Sequence, residues 1–301
     1  MFTTNAVVLK KPFFKVLGAF ALIMLLGVNG VVGQQFWRTD GTSASWTGSN
    51  WGLSGGPYTT AWTSGSATRF TANSTVTFAT TTVGNVTVDP GVTVTVTQAG
   101  TLKTTAARTF DIGTGSTLTW TGQSWSTTAS SAGFIKNGAG TWDIGAQGSG
   151  FNATNFGFRL NAGRVIVSGS NSFGGTNSVL TLAGGTIQSS GTRTFTNPIT
   201  LSGNHTHMGT GNATFSGTVG LGAATRTITN STTSGSIRLF SGVISGTSGS
   251  GLTFDGSGAG RIFISGASNT FTGTITINGA EVGFTGNGEF GNANNTIGLP
   301  T

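Results

Sequence analysis

The sequence of 301 residues contains no cysteine, and only 7% of its residues are charged. The absence of cysteine excludes disulfide bonds, thiolate metal sites and thiol catalysis. The charged fraction is far below the roughly 25% of typical soluble domains. Helix-forming residues are scarce after the first thirty positions, where no segment combines helical apolar spacing with Leu, Glu, Lys and Ala. We therefore predict almost no helix in the mature chain.

Basic residues outnumber acidic residues by 14 to 7, which gives a net charge of +7. Three of the lysines, Lys10, Lys11 and Lys15, lie near the start, and the other basic residues are scattered singly. Nucleic-acid binding requires basic side chains clustered on one face. The sequence therefore predicts no nucleic-acid partner.

Glycine is abundant, with 52 residues, yet the chain does not have the composition of a disordered linker. Hydrophobic residues still make up 36% of the sequence and include 21 phenylalanines and 7 tryptophans. They alternate with threonine and serine in short runs, as in Thr93–Thr97. This alternation is typical of β-strands with one buried face. We expect an all-β protein.

Residues 1–33 have the three parts of a secretory signal peptide. The lysines within 10–15 form a positive segment, Val16–Leu26 are apolar, and Val31 and Gly33 are small residues before a cleavage point. The alternative is an uncleaved anchor, since the apolar stretch approaches the ~18 residues of a spanning helix. Either interpretation predicts an extracellular or bacterial cell-surface protein whose membrane contact is limited to this segment.

Residues 34–70 differ from the rest because they are rich in aromatic side chains. They hold four tryptophans and the only tyrosine: Trp37, Trp46, Trp51, Trp62 and Tyr58. Repeat proteins need an atypical terminal unit that covers the end of their core, so we predict an N-terminal cap here. The alternative is a sugar-binding surface formed by Trp46, Trp51 and Trp62.

Residues 71–301 show short apolar pairs at a regular spacing. We expect the side chains of these pairs to form one internal stack. The pairs are Phe110/Ile112, Leu118/Trp120, Val165/Val167, Leu180/Leu182, Ile199/Leu201, Leu252/Phe254, Ile262/Ile264, Ile275/Ile277, Val282/Phe284 and Ile297/Leu299. In the last fifty residues, every second pair lies roughly 20 residues further along the chain, as Leu252/Phe254 and Ile275/Ile277 do. Longer strands and hairpin turns would favour a β-sandwich, and four strands per ~40 residues would favour a propeller. Neither pattern is found. The sequence predicts a right-handed parallel β-helix with about 20 residues per coil.

The segment 258–284, GAGRIFISGASNTFTGTITINGAEVGF, resembles the autotransporter-associated β-strand repeat. It has a glycine-rich start, a strand, an Asn-Thr-aromatic-Thr-Gly turn, a second strand, and a glycine before a third strand. The matching positions are Gly260, Gly266, Asn269, Phe271, Thr272, Gly273, Ile275, Ile277 and Gly279.

The resemblance implies a passenger-type β-helix on or outside a bacterial cell, which mediates adhesion or presents other domains without catalysis. It is weaker over residues 130–257. No C-terminal outer-membrane barrel follows, and the ending at Gly298–Thr301 lacks a polar cap. Self-transport is therefore unsupported, and the ending suggests a truncated product.

Seven acidic residues limit the catalytic chemistry that the chain can perform. They are Asp40, Asp89, Asp111, Asp143, Asp255, Glu281 and Glu289. Glycoside hydrolysis usually needs two carboxylates at a controlled separation, and none of these lie in a close pair in sequence. Distant acids could still meet on adjacent coils. We therefore expect no catalytic site and no cofactor, with a polysaccharide-degrading or polysaccharide-binding β-helix as the alternative.

Two further motifs have a functional and a structural interpretation. His205 and His207 point to the same side if they lie on a strand, but zinc needs three or four ligands, so we expect surface or turn histidines and no metal site. Thr93, Thr95 and Thr97 form a hydroxyl ladder of the kind that can bind ice or glycans. Threonine is also favoured on the outer face of strands for its β-branched geometry.

The main hypothesis is a secreted or cell-surface structural scaffold with adhesive polar faces. Its predicted partners are an extracellular polysaccharide or the surface of a host or neighbouring cell. A third hypothesis is a self-associating fibre subunit, because open solenoid ends can pair with another copy.

Overall fold

A computed structural model describes residues 33–41, 43–97, 100–121, 124–127, 132–146, 157–232, 235–256, 259–291 and 295–299. Gln34–Thr301 form one compact unit, a β-solenoid of about 9 turns built from stacked parallel sheets. The predicted fold class is confirmed. Right-handed coiling stays the expectation for parallel connections. The signal peptide predicted for residues 1–33, expected to be helical, lies outside the described residues except for Gly33.

The first side of the solenoid is a sheet of eleven strands, here called sheet A. From one edge to the other it contains β3 (Trp51–Gly52), β1 (Gln34–Trp37), β4 (Ala67–Phe70), β7 (Val86–Val88), β10 (Ala107–Ile112), β13 (Gly133–Asn137), β15 (Gly157–Leu160), β17 (Val179–Leu182), β20 (Ile199–Leu201), β23 (Val219–Gly220) and β26 (Ile244–Ser245).

The second side is a sheet of twelve strands, sheet B. It contains β2 (Ala44–Ser45), β5 (Ser74–Thr77), β8 (Thr93–Thr97), β11 (Thr117–Trp120), β14 (Thr141–Gly145), β16 (Arg164–Val167), β18 (Thr186–Ser189), β21 (His205–Gly209), β24 (Arg226–Asn230), β27 (Leu252–Gly256), β29 (Ile275–Asn278) and β31 (Ile297–Gly298).

The third side is divided into two smaller sheets. Sheet C contains β6 (Thr81–Thr82), β9 (Thr101–Thr104) and β12 (Ser124–Thr127). Sheet D contains β19 (Arg193–Phe195), β22 (Ala213–Phe215), β25 (Ile237–Phe240), β28 (Arg261–Ile264) and β30 (Glu281–Phe284). The coil of β15 and β16 has no third strand, since residues 168–178 form turns. The described residues include no α-helix and one 3-10 helix, Asn287–Phe290.

The length of a coil varies, and its mean is longer than predicted. Paired residues in sheet B lie 24 positions apart at Leu118 and Trp142, but 20 apart at Ile187 and His207. The mean is roughly 23 residues rather than about 20. The variation lies in the turns: three residues (71–73) join β4 to β5, and six (246–251) join β26 to β27.

The strands place alternate side chains in one continuous core. Phe195, Phe215 and Phe240 occupy the same position on successive strands of sheet D and form a ladder, with ring centroids 5.2 and 5.0 Å apart. The predicted apolar pairs of β10, β11, β16, β17 and β20 all point inward. Burying one such side chain stabilises the fold by about 1.5–3 kcal/mol.

Two predicted apolar pairs near the end are not fully buried. Val282 and Phe284 are partly exposed, while Ile297 and Leu299 are 49% and 71% exposed. Strands β30 and β31 are edge strands, and no further described strand pairs with their outer sides. The prediction of inward packing was wrong for Ile297 and Leu299.

The predicted repeat segment has the expected succession of elements. β28, a turn, β29, Gly279 and β30 follow one another, and Gly279 has a positive φ of 74°. Asn269 in the turn is buried. Its Oδ1 accepts a hydrogen bond from the Ile244 amide at 2.7 Å, and its Nδ2 donates to the Glu289 carbonyl at 2.7 Å. The asparagine therefore satisfies backbone groups of the neighbouring coils.

Residues 34–70 are continuous with the repeats rather than a separate domain. β1 pairs in parallel with β4, so the first coil already belongs to sheet A. β3 pairs antiparallel with the outer edge of β1. This reversed strand covers an edge that would otherwise expose unpaired backbone groups.

Close coil stacking makes Gly163 sensitive to substitution. Gly163 has φ +70°, and a Cβ there would lie 2.4 Å from the carbonyl oxygens of Gly138 and Gly140. Gly115 has a similar φ of +74°, but a Cβ there would meet no atom within 4 Å. A comparison of substitutions at these two positions therefore distinguishes the effect of backbone strain from that of a steric clash.

We predict that Gly163→Ala destabilises the protein more than Gly115→Ala. Gly115→Ala, the control, should cost about 1–2 kcal/mol because alanine is strained in the left-handed conformation. At Gly163 the steric clash should add to that cost. Urea unfolding followed by far-UV circular dichroism measures both. Equal losses of stability would contradict the described stacking.

Candidate functional site

The tryptophans considered for sugar contact are part of the core. Trp46 and Trp51 have no exposed surface, and Trp62 is partly buried against them. Their ring centroids lie 4.7–5.2 Å apart, and the Trp51 Nε1 donates to the Trp46 carbonyl at 2.6 Å. Trp46 and Trp51 therefore leave no ring face for a ligand, and that alternative was wrong for both. The cap interpretation agrees with this packing.

We predict that Trp51→Ala costs about 3–5 kcal/mol of stability, as expected for a large buried aromatic side chain. Leu53, two residues away, is 76% exposed, so Leu53→Ala should change stability by less than about 0.5 kcal/mol. Thermal unfolding of both variants checks this. A small effect at Trp51 would contradict its role in the cap.

A shallow cleft next to the cap contains the single tyrosine. Tyr58 is half-buried and lines a space of about 250 Å³ together with Arg38, Thr39 and Asp40. The Arg38 Nε donates to the two Asp40 carboxylate oxygens at 2.9 and 3.0 Å, and its Nη2 also pairs with that carboxylate. The Arg38 Nη1 donates to Asn50 Oδ1 at 3.0 Å.

Sequence reasoning placed Tyr58 in the aromatic segment but did not identify this cleft. The local signal is the Arg38-x-Asp40 spacing, because the two residues follow β1 and are close in sequence. The contribution of Tyr58 depends on the intervening turn, which the sequence pattern does not define.

His205 and His207 point to the same side, as predicted, but that side is the core. Both are only 2% exposed, and their ring centroids are 4.6 Å apart. The His207 ring packs 4.8 Å from that of Phe215. The expectation of surface or turn histidines was wrong, because alternation on β21 directs both rings inward.

The environment of the two histidines favours their neutral forms. Burial lowers the pKa of His205 to about 4, although a hydrogen bond with the Gly184 carbonyl opposes the shift. Burial, and then the charges of His205 and Arg238, lower the pKa of His207 well below 6.5. Within the described residues, no group of three or more potential metal ligands is present.

We predict that the protein loses stability as the pH falls from 6.5 towards 4. The unfolded chain binds protons on its histidines in this range while the folded chain does not, and His205 alone should account for about 3 kcal/mol. A variant with His205→Ile and His207→Ile should lose less stability over the same range. Isoleucine already occupies the equivalent positions of paired strands at Ile228 and Ile187.

Urea unfolding at pH 7 and pH 4.5 tests this prediction. All other titrating groups are the same in both proteins, so the difference between their losses of stability isolates the contribution of the two histidines. An equal loss in the wild type and the double variant would show that the histidines are not responsible.

Two cations are also buried, and backbone carbonyls satisfy both. The Lys136 Nζ donates to the carbonyls of Asn137, Gly138 and Ala162 at 2.5, 2.8 and 3.3 Å, and burial lowers the pKa of Lys136 to about 8. Arg238 donates to the carbonyls of Gly211, Met208 and Ile237. Burial lowers the pKa of Arg238 to about 10. These hydrogen bonds give both cations structural roles.

Threonine forms a regular array on the outside of sheet B. We call this array the threonine face: Thr75, Thr77, Thr93, Thr95, Thr97, Thr117 and Thr119. Thr75, Thr95 and Thr119 occupy the same position on neighbouring strands, and all seven are exposed or half-buried. Strand geometry places neighbours about 4.8 Å apart across strands and about 6.6 Å apart along them.

The threonine face is uncharged and ends at charged residues. Along the column of Thr75, Thr95 and Thr119, the next paired residue is Asp143. The equivalent column of Thr93 and Thr117 continues through Thr141 to Arg164. The array therefore occupies three adjacent strands of sheet B.

Six of the seven acidic residues have local polar partners. Asp40, Asp89 and Glu281 form ion pairs with Arg38, Arg69 and Arg261. Asp143 and Asp255 accept backbone hydrogen bonds near their own strands, and Glu289 accepts hydrogen bonds from Thr285. Each of these contacts joins an acid to an arginine, a backbone amide or a threonine, and none joins two acids.

Comparison of the chain with protein families, curated proteins and solved structures gave no match. The similarity to the autotransporter-associated repeat stays a prediction based on residues 258–284. Among the described residues, no helix has the length and apolar character required to cross a membrane.

Proposed function

We propose that this protein is an exported structural scaffold that adheres to neutral polymers through its threonine face and has no catalytic centre. The observation that carries the proposal is the array of seven outward threonines on three adjacent parallel strands. The predicted leader supports export to the cell surface or medium.

The chemistry of the threonine face suits a neutral polysaccharide. Each threonine offers a hydroxyl that donates and accepts hydrogen bonds, beside a methyl group. The face carries no charge, so no charged side chain has to lose its bound water when a polymer rich in hydroxyl groups binds. One hydrogen bond contributes only about 0.5–1.5 kcal/mol, but many linked contacts on a repeating polymer combine through multivalency.

The fibre hypothesis receives less support than adhesion. Head-to-tail stacking through sheet A would require an open edge at β1. The antiparallel strand β3 already occupies that edge.

We predict that the full chain sediments with microcrystalline cellulose or chitin. Replacing Thr75, Thr95 and Thr119 together by valine should weaken this adsorption at least tenfold. Valine keeps the β-branched shape and removes three hydroxyls, each worth about 1 kcal/mol in a hydrogen bond. Adsorption isotherms of the wild type and the variant give the comparison.

The matched control replaces Thr87, Thr181 and Thr200 by valine on the outside of sheet A. It removes the same number of hydroxyls and should leave adsorption unchanged. The proposal fails if the wild type binds neither polymer, or if the two triple variants lose adsorption equally.

A further inference from the structure

We propose that the cleft formed by Arg38, Thr39, Asp40 and Tyr58 binds a single pyranose ring of a neutral carbohydrate. The cleft is next to β1 and β3 at one edge of sheet A, whereas the threonine face lies on sheet B. The proposal thus goes beyond polymer adhesion through the threonine face, and the two can fail separately.

The aromatic part of the site is Tyr58, whose ring has a fixed neighbour. A Cβ added to Gly56 would lie 3.5 Å from the Tyr58 Cε2, so the ring packs close to the turn backbone. A tyrosine side chain supplies a large, rigid contact area with little conformational entropy to lose on binding. Its flat apolar ring suits the C–H face of a pyranose.

The polar part of the site, Arg38 and Asp40, is preorganised to bind hydroxyl groups. Arg38 is fixed between the Asp40 carboxylate and the Asn50 amide oxygen. Such preorganisation lowers the entropic cost of binding. The guanidinium has donors and the carboxylate has acceptors, so adjacent sugar hydroxyls can accept from one and donate to the other.

Charge and size select the class of ligand. The Arg38 and Asp40 charges cancel within one ion pair, which favours a neutral ligand over a uronate or a sulfated sugar. The volume of about 250 Å³ lies below the ~300–1,000 Å³ of pockets that enclose drug-sized ligands. One ring, internal or terminal in a chain, matches this space.

The single tyrosine of the chain provides a direct probe. Full-length protein labelled with 3-fluorotyrosine should give one fluorine NMR signal, which reports on the cleft alone. We expect that signal to shift saturably, with a dissociation constant in the millimolar range, on addition of cellohexaose, chitohexaose or mannohexaose. Trigalacturonate should cause a smaller shift or none.

Two variants distinguish the cleft from a general effect on the fold. Asp40→Asn removes a charged hydrogen-bonding group of the site and should weaken binding about tenfold. Asp89→Asn breaks the comparable Arg69–Asp89 ion pair on the outside of sheet A and should leave the affinity unchanged. Tyr58 remains in both proteins, so the same fluorine signal measures both.

The role of the ring is tested by saturation-transfer NMR on the oligosaccharide signals, with every protein carrying the triple valine substitution of Thr75, Thr95 and Thr119 so that the threonine face does not contribute. Tyr58→Ala should abolish saturation transfer, and Tyr58→Phe should retain most of it because the stacking surface remains. The proposal is overturned if no neutral oligosaccharide moves the fluorine signal, if only trigalacturonate binds, or if Asp89→Asn weakens binding as much as Asp40→Asn. It is also overturned if Tyr58→Ala leaves saturation transfer intact.

Discussion

Parallel hydrogen bonding between successive coils is the constraint on which the rest of this structure depends. Each residue meets the residue one coil away at the spacing of paired strands, about 4.8 Å. Like side chains consequently stack on like, as Phe195, Phe215 and Phe240 do inside and Thr75, Thr95 and Thr119 do outside. The same parallel pairing, in sheet D and in sheet B, therefore creates both the aromatic core and the proposed binding face.

The constraint also determines how buried polar side chains find hydrogen-bond partners. A coil turns three corners, and each corner brings backbone carbonyls close to the core. Lys136 and Arg238 use those carbonyls as hydrogen-bond acceptors, so their positive ends are satisfied without an acidic partner. The two histidines have less support, since His205 has one carbonyl contact and its ring packs against the ring of His207. This difference explains why burial favours their neutral form.

The sequence predicted the fold well because alternation with a period of two is read directly from residues such as Val94 and Val96. It predicted the period less well because turns of three and six residues contribute different lengths without changing the strands. It misplaced His205 and His207 because a polar residue type indicates solvent, whereas strand direction decides the actual side. The cleft of Tyr58 could not be predicted, since it depends on the path of the chain between β3 and β4 rather than on any periodic pattern.

The division of the third side into sheets C and D has a mechanical consequence. In a stacked array, each coil is coupled only to its neighbours. Residues 168–178 contribute no strand, so the coil of β15 and β16 is joined to its successor, the coil of β17 and β18, by two ladders instead of three. The same coil is joined to its predecessor, the coil of β13 and β14, by two ladders as well. Under tension along the axis, both junctions transmit the load through sheets A and B alone, with no ladder on the third side to share it.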